Sequence, residues 1–360
     1  MLASRSPLFA PFQVKSLALA NRIVMAPMTR DRAGPLDEPT DLMVEYYRQR
    51  ASAGLIITEG TPPSPTGKGY WRTPGIHSPE QVTGWRRVAD AVHAAGGRIA
   101  MQLMHVGRAA VRANKADDAE TVAPSAIASP DPIPGPDGVP VAPETPRALA
   151  ALEIPQVISE YVAAARNAVA AGMDGIELHC ASGYLPMQFL STNTNHRTDM
   201  YGGSAENRVR FVVETLSALA GAIGPGRVGF RICPGAKFNG VDDADPAETY
   251  AALLRALDPL GLAWCHLIHI PTTGFDALDL VRANWSGAVI ENCGLTLEKA
   301  QEVIAQGSAE AVAFGYAFIG NPDLVERFRI GAPLAKADRG TFYTGHGDDA
   351  KGYTDYPRAT

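Results

Sequence analysis

Short apolar runs rich in β-branched residues alternate along the chain with longer segments in which apolar residues recur every three or four positions. The short runs are typical of strands and the longer segments of amphipathic helices. Eight strands are predicted, at residues 21–27, 55–60, 98–105, 175–181, 227–234, 262–269, 287–292 and 309–316. Eight helices are predicted between and after them, at residues 39–54, 78–96, 153–172, 204–221, 245–260, 275–284, 295–306 and 321–331. Eight strand–helix units in one chain favour an α/β fold of the closed (β/α)8 type, a TIM barrel, over an open doubly wound sheet.

Two segments fall outside this alternation. Residues 5–20 precede the first strand and are predicted to form a small hairpin that caps the barrel floor. Eight prolines lie between residues 123 and 147, so this stretch is expected to be neither a helix nor a central strand. We predict that residues 121–148, after the third strand, form a lid or excursion loop on a single barrel domain spanning residues 1–360.

Two predicted helices carry a clear start signal. Ser78-Pro79-Glu80 and Asn321-Pro322-Asp323 each offer a capping oxygen, a proline at the first position and an early acidic residue. We therefore expect one helix to begin directly after Ser78 and another directly after Asn321.

Composition and charge narrow the classes of function. The chain has 32 Lys and Arg against 38 Asp and Glu, a formal charge of -6, and no basic run. Binding to nucleic acid or to an anionic membrane surface is therefore disfavoured. The four cysteines lie far apart, without a C-x-x-C motif or a His pair at zinc-ligand spacing, so neither a disulfide framework nor a metal site is expected. This pattern is typical of reduced thiols in a cytoplasmic protein, and no signal peptide or membrane span is predicted.

Candidate chemistry gathers at the ends of the predicted strands, where barrels of this type carry function. Alternation along the fourth strand places Ile176 and Leu178 on one face and Glu177 and His179 on the other. Ser182-Gly183-Tyr184 follows His179 in the next loop. Taken alone, this segment is more typical of a structural histidine near the core and an ordinary rim tyrosine than of a functional pair.

The other strand ends add to this inventory. Pro27-Met28-Thr29, Gly60 and Gln102 end the first three strands, and Arg231 points inward on the fifth. An inward arginine needs an anion or a strong dipole nearby, although it could instead pair with Glu177.

The last two strands end in small residues. Asn292-Cys293-Gly294 and Gly315-Tyr316 could provide backbone N–H groups to a phosphate, although tight strand-to-helix packing explains such glycines equally well. Taken together with an amide, a hydroxyl, a cation and a His–Tyr pair, these strand ends favour a planar, redox-active, phosphorylated ring as the ligand.

A family resemblance runs through almost the whole chain. It is carried by NRIVMAPMTR from Asn21, by RIAMQLMHVGR, by the long block from GIELHCASGYL to NHRTDMYGGSAENR, and by VGFRICP, AVAFGYAFIGNPDL and GYTDYP. In these motifs the chain resembles the Old Yellow Enzyme family of FMN-dependent ene-reductases, nearest to its bacterial branch. The resemblance implies an FMN-binding (β/α)8 barrel.

Roles in flavin binding follow from the resemblance. It implies that Pro27, Met28 and Thr29 touch the flavin, with Thr29 donating to the O4 and N5 side. Gly60 and Gln102 would lie along the ring, and Gln102 would meet the pyrimidine. Arg231 would sit by N1 and O2, and Gly294, Gly315 and Tyr316 by the phosphate.

The resemblance also implies the reaction. NADPH or NADH would first deliver a hydride to FMN. An α,β-unsaturated carbonyl or nitro compound would then replace the nicotinamide and take that hydride at its β-carbon. Nitrate esters or nitroaromatics could also be reduced. His179, which also lies beside the flavin, would hold the oxygen of the activated alkene, and Tyr184 would be the proton donor. Ser182, Tyr70, Met104 and Tyr353 fall at positions that line the substrate side. The expected partners are small molecules, with the protein a monomer or a homo-oligomer.

Three departures from the family pattern leave alternatives open. Ser182 stands where the family has a second oxygen-binding His or Asn, Met104 replaces an aromatic residue, and Tyr316 replaces an arginine near the phosphate. A non-catalytic flavin-binding redox sensor is therefore a second hypothesis. A flavin-free barrel lyase or isomerase that uses the phosphate site for its substrate is a third.

Overall fold

A computed structural model describes residues 6–116, 118–270, 275–343 and 348–359. Within these ranges the strands are β1 (Phe12–Val14), β2 (Leu17–Leu19), β3 (Ile23–Met25), β4 (Leu55–Ile57), β5 (Ile99–Leu103), β6 (Val122–Ala123), β7 (Ile133–Pro134), β8 (Pro140–Val141), β9 (Arg147–Ala148), β10 (Gly175–His179), β11 (Val228–Ile232), β12 (Trp264–Ile268), β13 (Ala288–Asn292) and β14 (Ala311–Phe314). Each of the eight strands predicted from the pattern is present.

The barrel closes through parallel pairs in the order β3-β4-β5-β10-β11-β12-β13-β14, and β14 pairs with β3. The (β/α)8 prediction is therefore confirmed. The register between neighbouring strands places the polar residues predicted to face the barrel interior side by side. Glu177 lies opposite Gln102, and His179 opposite Arg231. The carboxyl ends of all eight strands meet at one mouth, which brings residues from distant parts of the chain together.

Helices cover the outside of the barrel. They are α1 (Asp41–Gln49), α2 (Pro79–Ala94), α3 (Ile154–Ala170), α4 (Leu185–Leu190), α5 (Ala205–Ile223), α6 (Pro246–Leu257), α7 (Ala277–Asn284), α8 (Leu297–Gln306), α9 (Tyr316–Gly320) and α10 (Leu324–Ile330). The eight predicted helices are confirmed. The two short helices α4 and α9 lie in the connections after β10 and β14, and they were not predicted because five or six residues show no resolvable period.

One of the two predicted helix starts is confirmed and the other is wrong. Ser78 caps α2 as part of a capping box with Gln81. Asn321 does not cap α10: its side chain donates to the carbonyl oxygens of Ala317 and Ala335 and accepts from the Ala335 N–H. Asp323 occupies the capping position instead, because Asn321 is used to hold the chain that returns past α9.

The barrel interior is apolar at the floor and polar at the mouth. Trp264 fills the floor, and a Cβ at Gly229 would lie only 2.0 Å from its indole ring, so only glycine fits there. The antiparallel hairpin β1–β2 packs Val14, Leu17 and Leu19 against this apolar layer, as predicted for the barrel floor. Apolar side chains on the outer strand faces, such as Ile176 and Leu178, pack against the helices and form the largest core cluster.

The proline-rich stretch forms no helix and contributes no barrel strand. β6 pairs with β9, and β7 pairs with β8 across a turn near Gly138. Asn114 donates to the carbonyl oxygens of Gly69 and Pro134, which holds the β7–β8 hairpin over the mouth. Among the helices of the described ranges, none has the length and apolar character needed to cross a membrane.

Candidate active site

A buried carboxylate organises the layer just below the mouth of the barrel. Glu177 accepts hydrogen bonds at 2.9 Å from Gln102 Nε2, Trp264 Nε1 and His266 Nδ1, and its side chain is fully buried. Burial alone would raise the pKa of Glu177, but His266, Arg231 and these hydrogen bonds lower it well below its usual range. An ionised Glu177 therefore fixes the side chain of Gln102 within the mouth.

Arg231 supplies the cation of the mouth. Its Nη2 donates to Asn292 Oδ1 at 2.6 Å, while Asn292 Nδ2 donates to the Ala313 carbonyl oxygen. The alternative pairing of Arg231 with Glu177 is not realised, because Glu177 is bonded by its three other donors. Arg231 Nε is buried without an acceptor among the described residues. A buried guanidinium N–H without an acceptor is costly, and a ligand oxygen or nitrogen at the mouth would satisfy it.

His179 stands at the end of β10 as a neutral hydrogen-bond donor. The Ala181 N–H donates to its Nδ1 at 3.3 Å, which places the ring proton on Nε2. Burial, reinforced by the positive charge of Arg231, lowers the pKa of His179 to about 3. The imidazole therefore stays neutral at physiological pH and offers one N–H.

Tyr184 lies beside His179 and remains protonated. The two ring centroids are 5.0 Å apart in an edge-on arrangement, and the Tyr184 hydroxyl lies 3.0 Å from the Tyr70 hydroxyl. Burial, together with Tyr70, raises the pKa of Tyr184 well above its usual range. A phenol held in its acid form beside a neutral imidazole N–H is suited to give a proton to an adjacent carbon.

The loop between His179 and Tyr184 has a constrained backbone. Ser182 adopts a φ of 58°, and a Cβ at Gly183, where φ is 77°, would lie 2.3 Å from the Phe238 carbonyl oxygen. Asn239 Nδ2 donates to the Ser182 carbonyl oxygen at 2.7 Å, and Asn239 also hydrogen-bonds Tyr70. Asn239 belongs to the long loop after β11, where no pattern in the sequence singled it out.

The segments that follow β3, β4 and β5 contribute the opposite wall of the mouth. Pro27, Met28 and Thr29 follow β3 and are half-buried at the mouth. Met104 packs against Gly60, where a Cβ would lie 2.4 Å from the methionine sulfur. Met104 also belongs to the apolar cluster on which Tyr70 and Tyr184 pack, so it lies on the side of the mouth predicted for the substrate.

The ends of β13 and β14 lie next to each other, since Asn292 is in register with Ala313. Gly294 is exposed with a φ of 65°, and Gly315 begins α9. Tyr316 is exposed and stacks on Phe342 with centroids 5.3 Å apart. The Arg339 guanidinium lies 5.8 Å from the Tyr316 ring centre, so a cation is present near the position where the family pattern has an arginine.

A cavity of about 650 Å³ opens at the side of the mouth where Tyr70 and Tyr184 lie. Its wall includes Thr29, Asp31, Tyr70, Trp71, Tyr184, Tyr343 and the tip of the β7–β8 hairpin at residues 134–138. Of these, Asp31, Trp71 and Tyr343 were missed by sequence reasoning. Asp31 lies two residues after Thr29, at the end of a predicted strand. This position was the only feature of the sequence that could have indicated a place in the cavity wall.

One predicted substrate-side residue lies elsewhere. Tyr353 is fully buried and stacks flat on Tyr46 with centroids 4.1 Å apart. The guanidinium groups of Arg30 and Arg32 lie 5.0 and 5.1 Å from its ring centre. The expectation that Tyr353 contacts the substrate is therefore wrong in this structure, because these cationic and aromatic contacts enclose its ring.

The residues at the mouth fit a flavin mononucleotide. The unsatisfied Arg231 Nε–H points to a missing acceptor, and the Gln102 amide, which donates to Glu177, has an oxygen that can accept from a ring N–H. Gly294 is exposed, with nothing within 4 Å of where its Cβ would be, and Gly315 is half-buried beside it, so this end of the polar layer offers space for a phosphate. These are donors and acceptors for a flat ring with a phosphate tail, which agrees with the ligand expected from the strand ends.

Comparisons with known proteins agree with this site. Residues 7–335 match the model of the NADH:flavin oxidoreductase / NADH oxidase family. The chain is similar to a probable flavin mononucleotide-dependent alkene reductase of Leishmania infantum, at 42% identity over 96% of each chain. It is also similar to 12-oxophytodienoate reductase 1 of Oryza sativa subsp. japonica, at 39% identity over 99% of this chain and 94% of the relative. The structure of morphinone reductase in complex with tetrahydroNAD superimposes with a TM-score of 0.92, at 45% identity over 98% of each chain.

Proposed function

We propose, for a chain that belongs to the NADH:flavin oxidoreductase / NADH oxidase family, that the cavity at the barrel mouth reduces the C=C bond of activated alkenes with NAD(P)H and FMN. The observation that carries this proposal is the pairing of a neutral His179 with a protonated Tyr184 in one wall of the mouth. One group can hold an oxygen and the other can give up a proton, which is what the reduction of an enone requires beyond a hydride.

Residues already near the mouth would hold FMN. Thr29 and Gln102 would hydrogen-bond the ring, Arg231 would meet its N1 and O2 edge, and Gly294 and Gly315 would provide backbone N–H groups to the phosphate. When bound, FMN would supply the redox chemistry, the transfer of a hydride from NAD(P)H to the β-carbon of the alkene. Tyr316 provides no charge at the phosphate, so Arg339 is the side chain we assign to that role.

The roles of the chain's own groups follow from their protonation states. His179 donates its Nε2 hydrogen to the carbonyl oxygen and becomes a stronger partner as negative charge develops there. Tyr184 gives its hydroxyl proton to the α-carbon, and its hydrogen bond with Tyr70 orients the phenol. Ser182 holds the loop between them, and its shorter side chain makes His179 the principal oxygen ligand.

Nicotinamide and alkene would use the same cavity in turn, which is supported by the tetrahydroNAD complex of the similar morphinone reductase. Nitroalkenes, whose oxygens resemble a carbonyl, are included among the substrates. All four cysteines are free thiols, three of them buried, which supports a cytoplasmic location. The formal charge of -6 favours small molecules over nucleic acid as partners.

The Tyr184→Phe variant tests this proposal. It removes the acid while keeping the ring, so flavin reduction by NAD(P)H should survive while reoxidation by 2-cyclohexen-1-one slows by roughly 100-fold or more, measured by stopped flow. Tyr70→Phe is the matched control, because it removes the neighbouring hydroxyl and should slow reoxidation much less. Equal slowing of both half-reactions in Tyr184→Phe would make Tyr184 a packing residue and refute the assignment.

A further inference from the structure

A buried carboxyl group in the cavity wall lacks a hydrogen-bond donor. Asp31 is 8% exposed and lines the cavity, and its Oδ1 is buried without a partner among the described residues. Burying a carboxyl oxygen without a donor is destabilising, and native proteins rarely retain such a group without a use for it. The proposed function gives Asp31 no role.

The cations around Asp31 are already engaged elsewhere. Arg72 donates to both oxygens of Asp349, and Lys68 donates to both oxygens of Asp37. Burial is the main influence on Asp31 and raises its pKa to about 7, even though these cations oppose the shift. The protein thus leaves the carboxyl to be satisfied from the cavity.

Two arginines on either side of Asp31 in the sequence are also committed. Arg30 donates to the carbonyl oxygens of Phe342 and Gly352 and to the Tyr46 hydroxyl. Arg32 donates to the carbonyl oxygens of Asp349 and Thr341. Their positive charges nevertheless act on Asp31, so the missing donor does not need to bring a charge of its own. The missing donor is therefore expected to be a neutral one.

We infer that Asp31 is a specificity-determining residue that accepts a hydrogen bond from a hydroxyl group of the ligand in the cavity. This inference rests on the proposed function, since it concerns ligands of the same cavity. Tyr70 and Tyr184 line the same cavity as Asp31. The hydroxyl recognised by Asp31 is thus carried near the reacting end of the ligand. It could belong to a hydroxylated enone or to the ribose next to the nicotinamide.

Matched ligand pairs separate these two sources. In the first arm, reoxidation of the reduced holoenzyme is measured with 4-hydroxy-2-cyclohexen-1-one and with 2-cyclohexen-1-one. In the second arm, flavin reduction is measured with NADH and with 1-benzyl-1,4-dihydronicotinamide, which has no ribose. In each arm the quantity compared is the ratio of rate constants for the hydroxylated and the plain ligand, because general effects on the flavin cancel in it.

Asp31→Leu should lower this ratio by roughly 10-fold in the arm that contains the true source, the effect expected for losing a hydrogen bond to a charged group. Asp31→Asn keeps a carbonyl acceptor and should fall between the wild type and Asp31→Leu, whereas a purely electrostatic effect would make the two variants alike. Asp137→Asn is the control, since Asp137 also lines the cavity but is exposed and already accepts from the Val139 N–H.

Unchanged ratios in both arms for Asp31→Leu would overturn the inference, as would an equal change in Asp137→Asn. If Asp31→Leu does not fold, Asp31→Ala replaces it in both arms, because it also removes the carboxyl group and adds no bulk. A wild-type holoenzyme that fails to reduce 2-cyclohexen-1-one would instead refute the proposed function.

Discussion

At the scale of single residues, the site depends on groups whose charge is set by burial. Arg231 carries its charge although it is only 8% exposed, while burial keeps His179 beside it neutral. If both were cations, they would repel each other across the aligned strands β10 and β11. In the proposed function, the charge of Arg231 serves the flavin and the neutral donor of His179 serves the carbonyl oxygen.

Replacing Arg231 tests the first of these assignments. Its positive charge should stabilise reduced FMN more than oxidised FMN, so Arg231→Met should lower the flavin midpoint potential by tens of millivolts, at about 30 mV for each 1.4 kcal/mol. Spectroelectrochemistry measures this shift, and Arg231→Lys, which keeps the charge, should recover most of it. If the Arg231→Met protein is fully loaded with FMN and its midpoint potential is unchanged, the Arg231 guanidinium does not lie beside the flavin ring.

Asp31 gives a prediction for stability and pH. Its pKa rises from 3.8 to about 7 on folding, so the folded protein binds this proton more tightly than the unfolded chain. The ionised carboxyl therefore destabilises the fold, with a cost that is absent below about pH 4 and grows as the pH rises to about 7. Asp31→Asn should be more stable than the wild type at pH 8, by on the order of a few kcal/mol, with no advantage near pH 4.

Urea unfolding at several pH values measures this difference. Asp137→Asn, which removes an exposed carboxyl of the same cavity, should show no comparable rise between these pH values. A constant difference for Asp31→Asn across the range would mean that the carboxyl has another partner in the folded protein.

At the scale of elements, the outer helices could be predicted well because their signals are local. The capping box of α2 is an example: Gln81 N–H donates to Ser78 Oγ, and the N–H groups of Ser78 and His77 donate to Gln81 Oε1. All of these groups lie within five residues, so the sequence alone shows them.

The capping box should contribute measurably to stability. Ser78→Ala removes the acceptor for the Gln81 N–H and should lower the free energy of unfolding by about 1 kcal/mol, measured by urea denaturation. Ser159→Ala is the control, since the Ser159 hydroxyl lies in the interior of α3 and only bonds the Pro155 carbonyl oxygen one turn earlier. An equal loss in both variants would show that the cap adds nothing specific.

The strand ends could also be predicted, but the loops above them could not. Alternation placed Glu177, His179 and Arg231 inside the barrel because a parallel strand repeats every two residues. Asn239 and Tyr343 reach the site through long connections whose path depends on tertiary contacts, so no period indicates them. Tyr353 was misplaced for the same reason, because its burial depends on arginines more than 300 residues earlier in the chain.

At the scale of the whole molecule, the barrel and its carboxyl-terminal segment act as one unit. Arg30 and Arg32 follow β3, and their guanidinium groups donate to the backbone carbonyl oxygens of Thr341, Phe342 and Gly352. Arg50, at the end of α1, binds the carbonyl oxygens of Phe318 and Ile319 in the same way. Buried arginines thus hold the last segment against the first, so that Tyr343 and Arg339 complete the cavity wall.

Our main expectation is that this cavity carries out two half-reactions on one flavin. It is tested most directly by an anaerobic titration of the purified, FMN-loaded protein, followed by its absorbance near 460 nm. NADPH or NADH should bleach the yellow colour, and 2-cyclohexen-1-one added afterwards should restore it, with one equivalent of cyclohexanone formed per flavin. Protein that takes up no FMN would contradict the flavin site, and bleached protein that stays bleached with the enone would contradict the reductase.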